Sequence, residues 1–140
     1  MPARQEIVQR EPLLMIDGAH NVDGVTALCK TLDSMLPMGG ISVILGMVAD
    51  KQYEACVRML TRRADVIYTV QPDSPRALSS QQLATAIREF SPYTNVFDCN
   101  DIVSALKRAL GSAQDDDVII VCGSLYIAGE AKNALKDGII

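Results

Sequence analysis

The only histidine of the chain, His20, stands three residues after an aspartate in the segment Asp17-Gly18-Ala19-His20-Asn21. An imidazole that titrates near neutrality, close to a carboxylate, invites an acid–base reading. A second polar turn, Gly123-Ser124-Leu125-Tyr126, offers a hydroxyl at Ser124. Two more short segments, Asp50-Lys51 and Pro75-Arg76, carry charge of both signs. The first two turns put small residues and backbone N–H groups where a helix is about to begin, a place that favours an anion or a ligand oxygen. Each residue also has an ordinary structural use. His20 can be a structural hydrogen-bonding group, Asp17 can cap its own turn, Ser124 can cap the following helix, and Lys51 and Arg76 can be surface charge.

Motifs that would complete a reaction centre are missing. No GxxxxGK[ST] phosphate loop occurs, and no GxGxxG fingerprint follows the first core strand. Gly123 and Gly129 have the wrong spacing for a dinucleotide turn, and neither a Ser-His-Asp set nor a pair of carboxylates stands out. The cysteines (Cys29, Cys56, Cys99, Cys122) form no CxxC pair, so with one histidine the usual zinc spacing is absent. Cys29 and Cys56 fall on apolar helical faces and Cys122 ends an apolar strand, which predicts reduced and mostly buried thiols. On these residues alone the chain carries half of an active site, with no catalytic residue or metal ligand of its own.

Short apolar runs alternating with helical patterns must position these turns. Leu13 to Ile16 reads as a buried strand running straight into Asp17. Val25, Leu28, Cys29, Leu32, Met35 and Leu36 then recur at the spacing of a one-faced helix, ended by Pro37-Met38-Gly39-Gly40. Strands are predicted at Ile41–Leu45, Val66–Val70, Thr94–Phe97 and Val118–Cys122. Gly46–Lys51 and Gln71–Arg76 read as loops. Helices are predicted through Tyr53, Cys56, Val57 and Leu60, after the Ser79/Gln82 capping box with its Leu78/Leu83 staple, through Ile102, Ala105, Leu106 and Ala109 behind a cap at Asn100 or Asp101, and from Tyr126 to Leu135. Asp115-Asp116-Asp117 reads as a solvated turn. Strands apolar on both faces, each followed by a helix, predict an α/β fold: a Rossmann-like open, mostly parallel sheet with helices on both faces. Gln5 to Val8 adds an antiparallel edge strand turned at Arg10-Glu11-Pro12. In such sheets ligands bind beyond the carboxyl ends of the strands, where the polar turns lie.

Composition sets the outer limits. At 140 residues, 49% hydrophobic and 21% charged, residues 1–140 suit one globular domain without repeats. A net charge of −4 without a Lys/Arg cluster argues against nucleic acid as a partner. The longest apolar stretch, Ile41 to Ala49, is broken by Gly46 and falls far short of the roughly 20 residues a membrane span needs. Residues 1–11 are polar and charged, with no signal-peptide pattern. A cytoplasmic protein without membrane contact is the expectation.

The same residues carry a resemblance. Asp17-Gly18-Ala19-His20-Asn21 after an apolar strand resembles the DGAHN motif of folylpolyglutamate synthases, in their C-terminal, Mur ligase-like domain. Pro2-Ala3-Arg4-Gln5-Glu6 resembles the P-[GA]-R-x-E segment through which the interdomain linker enters that domain. Gly46 to Lys51 resembles the family's strand-end DK loop, Ser74 to Leu78 its PRAL segment, and Gly123 to Tyr126 its GSLY turn. Together the matches follow the family's order along almost the whole chain. One departure is Gln52, where the family often has a second acidic residue after DK.

The resemblance implies the C-terminal domain of an ATP-dependent ligase of folate biosynthesis and one-carbon metabolism, with dihydrofolate synthase as an additional activity in bifunctional members. ATP phosphorylates a carboxylate, and the amino group of L-glutamate attacks the acyl phosphate to leave an amide on a folate. The phosphate loop, the magnesium ligands and most of the folate pocket belong to an N-terminal ATP-binding domain of the same polypeptide, so residues 1–140 alone are expected to be inactive. Carried over by motif, Arg4 and Asp17 would contact ATP, and His20 and Ser124 would lie on the glutamate side. A guanidinium fork suits phosphate oxygens, and a carboxylate suits ribose hydroxyls or a cation. Asn21, Asp50, Lys51, Arg76 and Tyr126 would line the cleft or the domain interface. Two other readings stand beside this one: a Mur-type ligase for another acceptor, such as a cell-wall precursor, and a standalone Rossmann-like ligand-binding or regulatory module. The GSLY and PRAL segments favour the folate branch.

Overall fold

The computed structural model describes residues 4–35 and 37–138. The expectations that involve Pro2, Ala3 and Leu36 lie outside the described residues. Within them the chain runs β1 (Glu6–Arg10), β2 (Leu13–Ile16), α1 (Val22–Met35), β3 (Ile41–Leu45), α2 (Tyr53–Thr61), β4 (Val66–Val70), α3 (Ser80–Phe90), β5 (Asn95–Asn100), α4 (Ile102–Ser112), β6 (Val118–Cys122) and α5 (Leu125–Lys136). One six-stranded sheet is formed, in the order β1-β2-β6-β3-β4-β5. β1 pairs antiparallel with β2, and the remaining pairs are parallel.

The connections explain the layers. From β2 to β5 the chain steps in one direction across the sheet, so right-handed crossovers put α1, α2 and α3 on one face. The return from β5 to β6 runs the other way and puts α4, followed by α5, on the opposite face. Alternate residues of each strand feed the two cores. Met15, Val43, Leu45, Ile67, Ile120 and Cys122 pack under α1–α3. Leu14, Ile16, Ile44, Val70, Ile119 and Val121 pack under α4 and α5. The sequence Val118-Ile119-Ile120-Val121-Cys122 is apolar throughout because β6 is buried along its whole length between β2 and β3. Burying each of its large side chains contributes about 1.5–3 kcal/mol.

Local signals set most boundaries. Ser79 Oγ accepts the Gln82 N–H at 3.0 Å, and Gln82 Oε1 accepts the Ser79 N–H at 3.1 Å, the capping box expected for α3. Leu78 and Leu83 join the same core, as a staple would. Asp101, not Asn100, caps α4, through the Ser104 N–H at 2.8 Å.

Four expectations are corrected. β5 extends from Asn95 to Asn100 rather than Thr94 to Phe97: an edge strand keeps pairing through its exposed polar residues Asp98 and Asn100, with the register shifting past Cys99 between them. The antiparallel edge strand is Glu6–Arg10, and Gln5 stands outside it with a φ of 48°. The last helix begins at Leu125, directly behind the capping Ser124, and ends at Lys136. Asp117 is not a merely solvated turn residue, because its carboxylate accepts the N–H groups of Gly40 (2.9 Å) and Gln114 (2.8 Å).

Candidate functional site

Two neighbouring strands of the sheet send their chains to opposite faces: β2 leads to α1, β6 to α5. Where adjacent connections diverge in this way a crevice opens beyond the strand ends, the usual ligand position in open α/β sheets. The two turns at this point are those singled out by the sequence. Asp17 N–H donates to the Val121 carbonyl (2.8 Å), extending the β2–β6 pairing before the chain leaves the sheet. Gly123 N–H donates to the Ala19 carbonyl (2.9 Å) and ties the two turns together. Gly123 has a φ of 111°, and a side chain there would collide with the carbonyl oxygen of Gly46. Only glycine lets the β6 turn pass so close to the end of β3.

Asp17 is only 4% exposed, yet it has no partner cation in direct contact among the described residues. Its Oδ1 accepts the Ala19 N–H at 2.9 Å. Burial pushes its pKa up from the ordinary carboxylate value, against the opposing pull of the Ala19 N–H, the charge of Arg4 and the Gln5 N–H. His20 Nδ1 lies 3.0 Å from the Gly18 carbonyl. A carbonyl only accepts, so this contact places the proton on Nδ1 and, in the neutral ring, leaves Nε2 as an acceptor. Asn21 caps α1 through the Gly24 N–H (2.9 Å), and Gln52 Oε1 accepts the Val22 N–H of the same first turn (2.9 Å). Ser124 is 2% exposed and caps α5, its Oγ accepting the Ile127 N–H at 3.0 Å. The ordinary reading of Ser124 is therefore realised, with the hydroxyl hydrogen still available to donate.

Beside the Asp17 turn lies a cleft of about 250 Å³, lined by Arg4, Asp17, His20, Asn21, Asp23 and Leu125 among others; Ser124, buried and just before Leu125 in sequence, is not among its lining residues. The volume is below the roughly 300–1,000 Å³ usual for a complete small-molecule pocket, as a single wall of a larger site would be. Arg4 reaches it because β1 runs antiparallel to β2, so the start of β1 lies beside the end of β2 (Glu6 pairs with Ile16). Tyr126 and Leu125 stand more than half exposed on the first turn of α5, at 53% and 56%.

The remaining candidates share the sheet edge but not the cleft lining. The loops after β3 and β4 are clasped to each other: Ala49 N–H donates to Arg76 O (2.8 Å), Arg76 Nη2 to Ala49 O (3.0 Å), and Val48 bridges Ala77. Asp50 accepts the Gln52 N–H (2.8 Å), and Lys51 is exposed. The cysteines are free, with Cys29, Cys56 and Cys122 buried and Cys99 half-buried. Burial holds all four as thiols, Cys56 pushed up to about 11, so none is an activated nucleophile. Among the described residues no group of three or more His, Cys, Asp or Glu side chains is placed to hold a metal ion, and no helix is long and apolar enough to cross a membrane. Two contributors were invisible to sequence reasoning. Gln5 reads simply as strand, because a left-handed backbone leaves no mark on a glutamine. Gln52 reads only as a departure from a motif, because a cap supplied from another helix's loop has no local signature.

The family described as Mur ligase, glutamate ligase domain, matches residues 3–125. The chain is similar to the folylpolyglutamate synthase of Lacticaseibacillus casei, 33% identical over 141 residues, covering 98% of this chain and 30% of that protein. It is similar to the dihydrofolate synthase/folylpolyglutamate synthase of Bacillus subtilis (strain 168), 31% identical over 135 residues, covering 96% of this chain and 30% of that protein. Among solved structures it superposes on the bifunctional folylpolyglutamate synthase/dihydrofolate synthase of Yersinia pestis complexed with AMPPNP and Mn ion, with a TM-score of 0.86, 29% identity, and coverage of 97% of this chain and 32% of that one. The chain spans about 30% of the length of the curated relatives it matches.

Proposed function

The chain belongs to the Mur ligase, glutamate ligase domain family, and from that premise we propose that it is the C-terminal domain of a two-domain, ATP-dependent ligase that adds L-glutamate to a reduced folate. Support comes from the relatives' names and from one geometric observation: Arg4 and the Asp17 turn, far apart in their local sequence signals, share one cleft at the switch point of the sheet. The other wall, with the phosphate-binding loop and most of the folate pocket, belongs to an N-terminal domain. The divalent cation that accompanies ATP is assigned to that domain too, as the family resemblance implies. A cation there would screen the phosphate charge, and this domain's residues act around it rather than through it.

In this reading Arg4 binds phosphate oxygens of ATP, and Asp17 accepts from ribose hydroxyls through its carboxylate. A γ-phosphoryl group moves to a substrate carboxylate, releasing ADP and leaving an acyl phosphate. The glutamate amine attacks the acyl carbon, the C–N bond forms, inorganic phosphate leaves, and the nitrogen loses a proton. His20, its Nδ1 hydrogen engaged by Gly18, presents Nε2 as an acceptor for that amine. Ser124 donates toward the glutamate carboxylate while it fixes the α5 turn. Closing the two domains excludes water from an intermediate that water would destroy.

The test is titration of the full two-domain enzyme with ATP and with glutamate. Arg4→Ala and Asp17→Ala are expected to raise the KM for ATP, and His20→Ala and Ser124→Ala the KM for glutamate, each by about tenfold or more. Unchanged kinetics in all four variants sinks the site reading. Residues 1–140 alone are expected to show no ATP turnover, and turnover by them overturns the idea of a half-site. Replacing folates by UDP-linked peptides separates this ligase from a cell-wall counterpart.

A further inference from the structure

Gln5 is one of two non-glycine residues among those described with a positive φ, at 48°. Such a conformation is uncommon for a residue with a side chain, and it persists where the surroundings over-determine it. Here they do so from several sides. Thr31 Oγ1 on α1 donates to the Gln5 side-chain oxygen, Oε1, at 3.0 Å. The Gln5 backbone N–H is turned toward the Asp17 carboxyl and opposes the rise in that group's pKa. The next residue, Glu6, pairs with Lys132 of α5 at 3.1 Å. Consecutive residues thus anchor the segment to helices on opposite faces of the sheet. Between those anchors the left-handed bend turns the chain out of the line of β1 and toward the Asp17 turn, where Arg4 lines the cleft.

We infer that Gln5 is a positioning residue: it clamps the segment ahead of β1 so that Arg4 faces the phosphate end of the nucleotide in the cleft. The inference rests on the proposed nucleotide role of Arg4 and adds to it the device that aims the guanidinium. Gln5 itself touches no reacting atom. Thr31, a helix residue with no part in the cleft lining, is the other half of the clamp. Its hydroxyl also lies 3.2 Å from the Ala27 carbonyl. The shorter contact is to Gln5 Oε1, an acceptor, so the single hydroxyl hydrogen serves the clamp and the hydroxyl is required.

The experiment is steady-state kinetics of the full two-domain enzyme carrying Gln5→Ala, Thr31→Val, Thr31→Ser, Arg4→Ala and the Arg4→Ala/Gln5→Ala pair. One lost hydrogen bond predicts that Gln5→Ala and Thr31→Val each raise the KM for ATP about three- to tenfold, with kcat and the KM for glutamate within about twofold of the parent. Thr31→Ser keeps the hydroxyl and is expected to behave as the parent. In the Arg4→Ala background Gln5→Ala is expected to add nothing, because the clamp acts only through Arg4. An Arg4→Ala enzyme with a raised KM beside parent-like Gln5→Ala and Thr31→Val overturns the clamp alone. Equal increments from Gln5→Ala with and without Arg4 overturn it as well, as does a Thr31→Ser enzyme no better than Thr31→Val. An Arg4→Ala enzyme with unchanged KM for ATP removes the nucleotide reading, and the clamp with it. Should Gln5→Ala fail to fold, the Thr31 variants, on a helix flank, read the same contact.

Discussion

The two ends of the sheet use the same device for opposite purposes. At the far end from the cleft, Asp65 accepts the Ile41 N–H (2.8 Å) and Asp117 accepts those of Gly40 and Gln114. These carboxylates fasten loops to the starts of β3 and β6. At the cleft end Asp17 also accepts a backbone N–H, from Ala19, but it is 4% exposed and its pKa is raised by burial. Asp65 is exposed and Asp117 half-buried. A carboxylate that keeps its water gains from each N–H, whereas one stripped of water must recover a larger desolvation cost first. The contrast is that burial offsets at Asp17 what the N–H contact contributes, whereas Asp65 and Asp117 keep water and the full gain.

The largest test of the contrast is a pair of alanine variants. Asp17→Ala is expected to lower kcat/KM for ATP in the full enzyme by about 10²-fold, as loss of a charge-assisted contact does, with little loss in the unfolding midpoint. Asp117→Ala is expected to lower stability by about 2 kcal/mol, by leaving two loop N–H groups unpaired, and to leave kcat/KM of the folded enzyme at the parent value. Denaturant unfolding and steady-state kinetics on both decide it. A larger kinetic defect in Asp117→Ala than in Asp17→Ala breaks the comparison. Gln52→Ala is smaller, about 1 kcal/mol for a lost helix cap, and Gln52→Glu is expected to match or exceed the parent in midpoint, since a carboxylate also accepts the Val22 N–H and favours a helix N-terminus.

The smallest effect sharpens the argument through pH. Because the folded-state pKa of Asp17 lies above its unfolded value, the folded form holds the proton more tightly. Its contribution to stability is therefore greatest below the unfolded value, falls as pH rises from about 4 through the raised folded value, and stays at its low level above that. Asp17→Asn removes this loss and is expected to raise the thermal midpoint at pH 7 by a few degrees relative to the parent, with the gain shrinking as pH falls toward 4. Melting curves of the two proteins across that range check it. A lower midpoint for Asp17→Asn at pH 7 reverses the sign assigned to the cleft carboxylate.

Much of this was legible from the amino acids. Leu13–Ile16 and Val118–Cys122 announce themselves because strands buried on both faces need unbroken apolar runs. The Ser79/Gln82 box marks the start of α3 because capping is a local event. Asp98, Cys99 and Asn100 were lost to β5 because an edge strand has no need to be apolar. Asp17 and His20 were correctly placed at the strand ends, as were Asp50, Lys51 and Arg76. Which of them share a cleft depends on strand order, and nothing in the residues says that β6 inserts between β2 and β3. That insertion seats Leu125 beside the Asp17 turn and leaves the Asp50 and Arg76 loops to clasp each other. Gln5 reads from the sequence as the start of the edge strand, whereas its bend is held by Thr31 on α1 and by the neighbouring Glu6–Lys132 pair.

The place of β6 also decides how distant parts of the chain meet. β2 and β3 never touch as strands; β6, the last strand among the described residues, is what joins them. The β1–β2 pair and the β3–β4–β5 ladder are each built from neighbouring residues, and within the sheet only Val118–Cys122 hydrogen-bonds to both. The cleft thus joins residues from the start of the chain, Arg4 and the Asp17 turn, to Leu125 just behind β6.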